Sequence, residues 1–210
     1  MSRGKLVTLE GVEGCGKTTQ IKLLHEALEM EGRSVLSTAE PGGSALGAQL
    51  KRLLKQVDGE EISPLAELLM FLADRAQHVH AVIKPAIESG MLVLCDRYTD
   101  STLAYQGYGR GLDIDQLKRL NCVATAGMDP DLTIVLDCDP LLGLERHIEA
   151  GQEGADCRFH QESIDFHRRV REGYRDLVSR EPDRLRIIDS SDNISFVQRT
   201  LQRVLKEAGI

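Results

Sequence analysis

The chain has 210 residues, 26 basic and 33 acidic side chains, a net charge of −7 and a hydrophobic content of 41%. That length suits one domain with a packed core, and the acidic balance argues against a nucleic-acid backbone or an anionic membrane as partner, while small phosphorylated ligands need only a local basic patch. The five cysteines are odd in number and lack metal-site spacing, the N-terminus shows no apolar leader, and the longest apolar runs, "MLVLC" and "LTIVL", are too short to span a bilayer; reduced thiols in a cytoplasmic protein are the expectation.

In chain order, "KLVTLE" (5–10) reads as a buried strand, followed by a glycine-rich turn and a helix over 17–30. "SVLST" (34–38) predicts a second strand, "EPGGS" a turn, and a helix covers 46–56. Ser63 and Pro64 suit the cap and first position of a long helix reaching Glu88, which Gly90 ends. "MLVLCD" (91–96), "LTIVLD" (132–137) and "LRIID" (185–189) give three further strands, and helices fill 99–107, 113–126, 140–150, 161–180 and 194–208. Short β-rich runs between amphipathic helices predict an α/β fold, a doubly wound five-stranded parallel sheet with helices on both faces. No repeat or linker interrupts it, so residues 1–210 are expected to form a single domain, with the polar, glycine-rich stretch at about 149–158 as a short mobile lid.

The stretch "LEGVEGCGKTTQ" (9–20) holds Gly11, Gly16, Lys17 and Thr18 at the spacing of a phosphate-binding loop, with a strand before it and a helix after it. Glycines let successive N–H groups converge on phosphate oxygens, and the helix N-terminus adds partial positive charge. Lys17 suits the outer phosphates of a nucleoside triphosphate, and the Thr18 hydroxyl suits Mg²⁺. Asp96 ends the third strand, where ligands of doubly wound sheets gather, and is a natural Mg²⁺ partner. Arg97 follows with a fork of donors for a phosphate, or in the bland reading forms a solvated ion pair. Phe71 and Arg75 lie four apart on one helix face, able to stack a base and bond its edge; the alternative is a core Phe71 and an Arg75 paired to an acid. His25, His78, His80, His147 and His167 form no metal-like cluster, and Cys15 reads as a small core residue.

"TLEGVEGCGKTT", "EPGG", "FLADRAQH", "CDRYTDSTLAYQGYGRG" and "RFHQESIDFHRRVREGY" stand in the order and spacing of bacterial thymidylate kinase, and the resemblance covers essentially the whole chain. It implies a P-loop nucleoside monophosphate kinase fold, transfer of the γ-phosphoryl of ATP to dTMP, Mg²⁺ as cofactor, and a homodimer packed through helices of the first half of the chain. ATP would lie on Gly11, Val12, Glu13, Gly14, Cys15, Gly16, Lys17, Thr18 and Thr19, with Arg146 and Arg158 beside it. For dTMP, the resemblance implies Phe71 stacked on thymine, Arg75 donating to its O4, and Thr102 and Gln106 near its N3 side. Tyr105 would stand where a 2′-hydroxyl would be, Pro41 would shape the acceptor pocket, Lys51 would bring to dTMP the charge of a usual arginine, and Arg97 would grip the acceptor phosphate. Glu13, an acid inside an anion cradle, would turn away and accept from the 3′-hydroxyl; the plain alternative is a solvated side chain near Mg²⁺ or Lys17. The expected working set is Lys17, Mg²⁺, Arg97 and a lid arginine, with no dedicated strong base.

The sequence departs from the pattern of the family it resembles at Ala39 and Lys51, where arginines are usual, and in the lid. Gly14 stands where one branch has an arginine, yet the lid "ERHIEAGQEGADCRF" keeps only Arg146 and Arg158, with Cys157 and His160 replacing acids. Arg158 is the expected catalytic lid residue, and Arg146 is expected to pair with Glu145 or Glu149. A different nucleoside monophosphate kinase would share the loop but not Phe71 and Arg75 together with "AYQG". A GTPase-type switch would need Asn-Lys-x-Asp, and neither Asn121 nor Asn193 is followed by Lys.

Overall fold

Strands β1 (Lys5–Glu10), β2 (Val35–Ala39), β3 (Leu92–Asp96), β4 (Leu132–Asp137) and β5 (Leu185–Asp189) form one all-parallel sheet in the order β2-β3-β1-β4-β5. The computed structural model describes residues 3–55, 61–149, 159 and 162–210, so most of the expected lid, Arg158 included, lies outside the described residues. The central strands read as unbroken apolar runs because both of their faces are covered. Leu6, Val93 and Cys95 face one core, with Val79, Ile83 and Ile87. Val7, Leu9, Leu94, Ile134 and Leu136 belong to the other and larger core. Leu9 and Ala39 both pair with Asp96, so the carboxyl ends of β1, β2 and β3 emerge along one edge of the sheet, and β1 lies between β3 and β4. A crevice between divergent crossovers at that edge is where such sheets place ligands.

The helices follow the predicted order: α1 (Lys17–Met30), α2 (Ala45–Lys55), α3 (Pro64–His78), α4 (Lys84–Glu88), α5 (Thr99–Thr102), α6 (Ile114–Thr125), α7 (Pro140–Glu149), α8 (Ile164–Arg180) and α9 (Ile194–Glu207). The predicted strands β1, β4 and β5 match residue for residue, β3 starts one residue later than predicted, and β2 is shifted by one residue at both ends. The Ser63 hydroxyl accepts from the Ala66 N–H at 3.3 Å with Pro64 behind it, which starts α3 where the sequence places it. The predicted rod from residue 64 to 88 is continuous, but α3 and α4 join through a π-helical segment, Val79–Ile83. A second π-helical segment, Leu103–Gly109, follows α5. There the backbone widens its turn, and Leu103 to Gly107 are all buried. An ordinary amphipathic helix would leave one face of that run in water; α6 and α8 pack on this one.

Candidate functional site

The phosphate loop leaves β1 at Glu10 and enters α1 at Lys17. Gly14 has φ +67°, and a Cβ there would stand 1.8 Å from the carbonyl oxygen of Gly143 in α7; a Cβ on Gly143 would stand 2.3 Å from the carbonyl oxygen of Glu13. The loop and α7 thus meet backbone to backbone, and both contact positions require glycine. The Lys17 ammonium donates to the carbonyls of Val12 (2.8 Å) and Gly11 (3.2 Å) and lies 3.5 Å from the Cys15 sulfur. Cys15 is buried, as read from the sequence.

A cavity of about 860 Å³ opens beside the loop, lined by Gly14 to Gln20, Arg146 and the β5–α9 connection. Arg146 does not pair with Glu145 or Glu149. Its guanidinium donates to the carbonyls of Ser190 (2.8 Å) and Ser191 (2.9 Å), because the β5–α9 connection offers two adjacent acceptors that a planar fork can take together. Gln20 adds a bond from its Nε2 to the Ile194 carbonyl at 3.0 Å.

On the far side of Thr18 a second cavity, about 280 Å³, collects Glu13, Pro41, Lys51, Phe71, Arg75, Arg97, Thr102, Tyr105 and Gln106, the residues that the resemblance sends to the acceptor. The two cavities share Gly14, Lys17 and Thr18. At this shared wall the Thr18 hydroxyl donates to Asp96 Oδ2 at 2.7 Å. A hydroxyl and a carboxylate oxygen side by side suit a hard cation that keeps most of its coordination for phosphate and water. Among the described residues no cluster of three His, Cys, Asp or Glu side chains could hold a metal unaided.

Arg97 adopts φ +70°, which few non-glycine residues do. Its Nη1 donates to the Gly11 carbonyl at 2.9 Å, and its Nη2 to Glu13 Oε1 at 3.0 Å and the Tyr105 hydroxyl at 3.1 Å. The guanidinium carbon lies 4.9 Å from the centre of the Tyr105 ring, and the Tyr105 hydroxyl donates to Glu13 Oε2. Glu13 therefore points away from the cradle, with 16% of its side chain exposed, and the solvated reading does not hold. Burial alone would raise its pKa; Arg97, Lys17 and the Tyr105 hydroxyl outweigh that and hold it at about 2. The Arg97 pair is likewise desolvated, not a solvated loop contact.

Arg75 is fully enclosed. It donates to Glu40 (2.8 Å), the Thr102 hydroxyl (2.7 Å), Asn121 (2.7 Å) and the Tyr98 carbonyl (2.8 Å), so four of the five hydrogens of a guanidinium are engaged within the protein. The acid-paired reading holds, and among the described residues the fifth hydrogen has no acceptor. The Phe71 ring lies 5.9 Å from that of Phe159, both at the cavity, and packs partly against the core. Gln106 donates to Glu67 at 2.9 Å, and the Glu40–Pro41 peptide is cis.

Sequence reading passed over four residues that organise this half. Glu40 accepts from Arg75 and bonds His78 Nδ1 at 2.9 Å. Glu10, buried at the end of β1, accepts from the turn that carries Arg97. Asn121 of α6 and Tyr174 of α8 reach in from distant elements. An acid closing an apolar strand beside a phosphate loop was a local signal for Glu10, and Glu40 stands in the quoted "EPGG"; Asn121 and Tyr174 carry none.

Against known families, residues 9–201 match the model for thymidylate kinase. The chain is 56% identical over 189 residues to the thymidylate kinase of Desulfovibrio desulfuricans, covering 88% of this chain and 87% of that protein. It is 52% identical over 203 residues to that of Solidesulfovibrio magneticus, covering 95% and 97%. Among solved structures it resembles a thymidylate kinase from Ehrlichia chaffeensis, with TM-score 0.78, 35% identity, and coverage of 97% and 99%.

Proposed function

The chain belongs to the thymidylate kinase family, and on that premise we propose that it transfers the γ-phosphoryl group of ATP to dTMP, giving ADP and dTDP for dTTP synthesis. The observation that carries this reading is the pair of cavities sharing Gly14, Lys17 and Thr18, which lets two nucleotides present phosphates to one wall.

The large cavity takes ATP, whose phosphates lie on the N–H groups from Gly11 to Thr19, with Arg146 fixing the β5–α9 border. The small cavity takes dTMP. Phe71 stacks on thymine, the remaining Arg75 hydrogen meets O4, Thr102 and Gln106 lie toward N3, and Tyr105 blocks a 2′-hydroxyl. Glu13 accepts from the 3′-hydroxyl, and Pro41, Lys51 and Arg97 surround the acceptor phosphate. Thr18 and Asp96 hold Mg²⁺, which when bound neutralises charge on the phosphate oxygens. Phosphoryl transfer runs through a loose transition state, so positioning and positive charge supply most of the catalysis. Lys17 and Arg97 give that charge from the described residues, and Arg158 is the lid contributor. Arg158→Ala should then lower kcat more than it raises either KM, and Arg146→Ala, a border residue, should do less; the reverse order would misplace the lid arginine.

The exposed leucines 46 and 53 of α2 and 65 and 69 of α3 support a homodimer through these helices, checked by sedimentation. Among the described residues no helix is long and apolar enough to cross a membrane, and cysteines 15, 95, 122 and 138 are free thiols, in keeping with a cytoplasmic site of action.

The reading is tested by MgATP-dependent ADP formation with dTMP, dUMP, UMP, CMP and AMP. dTMP should lead, with dUMP poorer by the roughly 1–3 kcal/mol that one methyl in an apolar niche supplies. Equal rates for dTMP and UMP would sink it.

A further inference from the structure

Glu10 is wholly buried at the end of β1, and neither the phosphate loop nor the acceptor cavity gives it a task. Its carboxylate accepts four hydrogen bonds. Oε1 takes the main-chain N–H groups of Tyr98 (2.7 Å) and Ser101 (3.3 Å), and Oε2 takes the hydroxyls of Ser101 (2.5 Å) and Tyr174 (2.8 Å). These groups surround Arg97. Tyr98 directly follows it and helps to enforce its left-handed backbone, a conformation that persists only where the surroundings over-determine it. The Ser101 and Tyr174 oxygens also face Arg97 Nη1, at 3.2 and 3.4 Å.

A hydroxyl has one hydrogen to give. With Glu10 ionised, the hydrogens of Ser101 and Tyr174 both point at Oε2, and both oxygens turn lone pairs toward the guanidinium. With Glu10 protonated, one of these oxygens must accept from the carboxyl instead, and its own hydrogen swings away, toward the other hydroxyl or toward Arg97. The charge on Glu10 therefore decides which way two dipoles beside Arg97 point.

We propose that Glu10 is a positioning residue for phosphoryl transfer: by receiving the four bonds it fixes the turn and the hydroxyl orientation that aim Arg97 at the moving phosphoryl group, and Tyr174 ties that aim to the seating of α8. The inference rests on the reading of Arg97 as the residue that steadies that group. Burial, and after it the charge of Asp100 on α5, push the Glu10 carboxyl up to about 7, while Ser101, Arg97 and Tyr174 pull the other way. Arg75 of α3 and Cys95 of β3 also feel its charge. Both protonation states are thus populated near neutrality.

The test compares wild type, Glu10→Gln and Tyr174→Phe in steady-state kinetics with ATP and dTMP, from the acid to the alkaline side of pH 7. In Glu10→Gln, kcat should fall about 10- to 100-fold, with both KM values within about threefold of wild type. The acid limb of the wild-type kcat profile, centred near pH 7, should disappear in the variant, which a purely structural role would not produce. Tyr174→Phe should show a smaller, several-fold loss of the same kind. A folded Glu10→Gln with wild-type kcat, or with losses in KM alone, overturns the proposal. If that variant does not fold, Tyr174→Phe decides, and an unchanged kcat and pH profile overturn it. A wild type without dTMP-dependent ADP formation overturns the proposed function and this inference together; an active wild type with indifferent variants overturns only the inference.

Discussion

The two cavities share a wall but are made by different means. The donor side is main chain: consecutive residues from Gly11 to Thr18 curl around one point, and α7 closes against them through the glycines at 14 and 143. The acceptor side is a network of buried charged and polar side chains from β1, the turn after β2, α3, the turn after β3, the π-helical segment Leu103–Gly109, α6 and α8. Its bonds join residues 46 apart (Arg75 and Asn121) and 84 apart (Glu13 and Arg97). Two carboxylates three positions apart show the contrast. Glu10, deep in the fold, is pushed up to about 7, and Glu13, against Arg97, is held at about 2. On the proposed assignment, a triphosphate would be held by shape that any suitable backbone can supply, whereas selection of one base and sugar would rest on desolvated charges that hold one another in place.

If that contrast is right, the largest loss of stability should come from the acceptor network. Arg75→Ala leaves the buried Glu40 with only His78 beside it and takes donors from Thr102, Asn121 and the Tyr98 carbonyl. We expect about 3–5 kcal/mol in denaturant unfolding, and a KM for dTMP that rises more than that for ATP. A loss below ~1 kcal/mol would show that the network is loosely coupled after all.

On the donor side the sharpest probe is Gly14→Ala. Its positive φ and the 1.8 Å approach to the Gly143 carbonyl should together cost about 2–4 kcal/mol and raise the KM for ATP first. Gly16→Ala meets nothing within 4 Å and carries only the penalty of φ +95°, about 1–2 kcal/mol. Equal losses at the two positions would mean that α7 yields, and that the loop is softer than its backbone contacts imply.

Glu13→Gln crosses between the halves. It should impair use of dTMP while leaving the KM for ATP nearly unchanged, and variant and parent should differ little on 3′-deoxy-dTMP. The Glu13 carboxyl sits lower in the folded chain than its ordinary 4.5, so its contribution is complete above that value and is lost as pH falls toward 2. The variant should therefore be less stable near neutrality, by up to ~3 kcal/mol, with the gap closing through that acid window. A gap that persists to pH 2 would show that the charge on Glu13 is not what stabilises the pair. The smallest effect belongs to neither half: Ser63→Ala removes the cap of α3 and should cost about 1 kcal/mol without altering either KM.

The same contrast decides what could be read from the residues alone. The loop, Thr18 beside Asp96, and the start of α3 were legible because each is a local pattern whose physics acts within a few positions. The role of Glu10 and the engagement of Arg75 were not, since they depend on α6 and α8 folding back across the carboxyl end of the sheet. Arg146 shows the cost of local reasoning: acids one and three residues away looked like its partners, yet the chain returns after β5 and presents two carbonyls in a better geometry. The π-helical segments were hidden for a related reason. The segment Leu103–Gly109 reads as ordinary helix until α6 and α8 demand burial on more than one side.

The meeting of Gly14 with Gly143 also bears on ancestry. An arginine at position 14, as the resemblance places in another branch, would drive its Cβ into the α7 backbone and carry at least the cost expected for Gly14→Ala unless α7 moved. Helix α7 would have to shift first, or the two sites change together. In this chain the choice between an arginine in the loop and one in the lid is therefore tied to the seating of α7, since position 14 can gain a side chain only as far as that helix gives way.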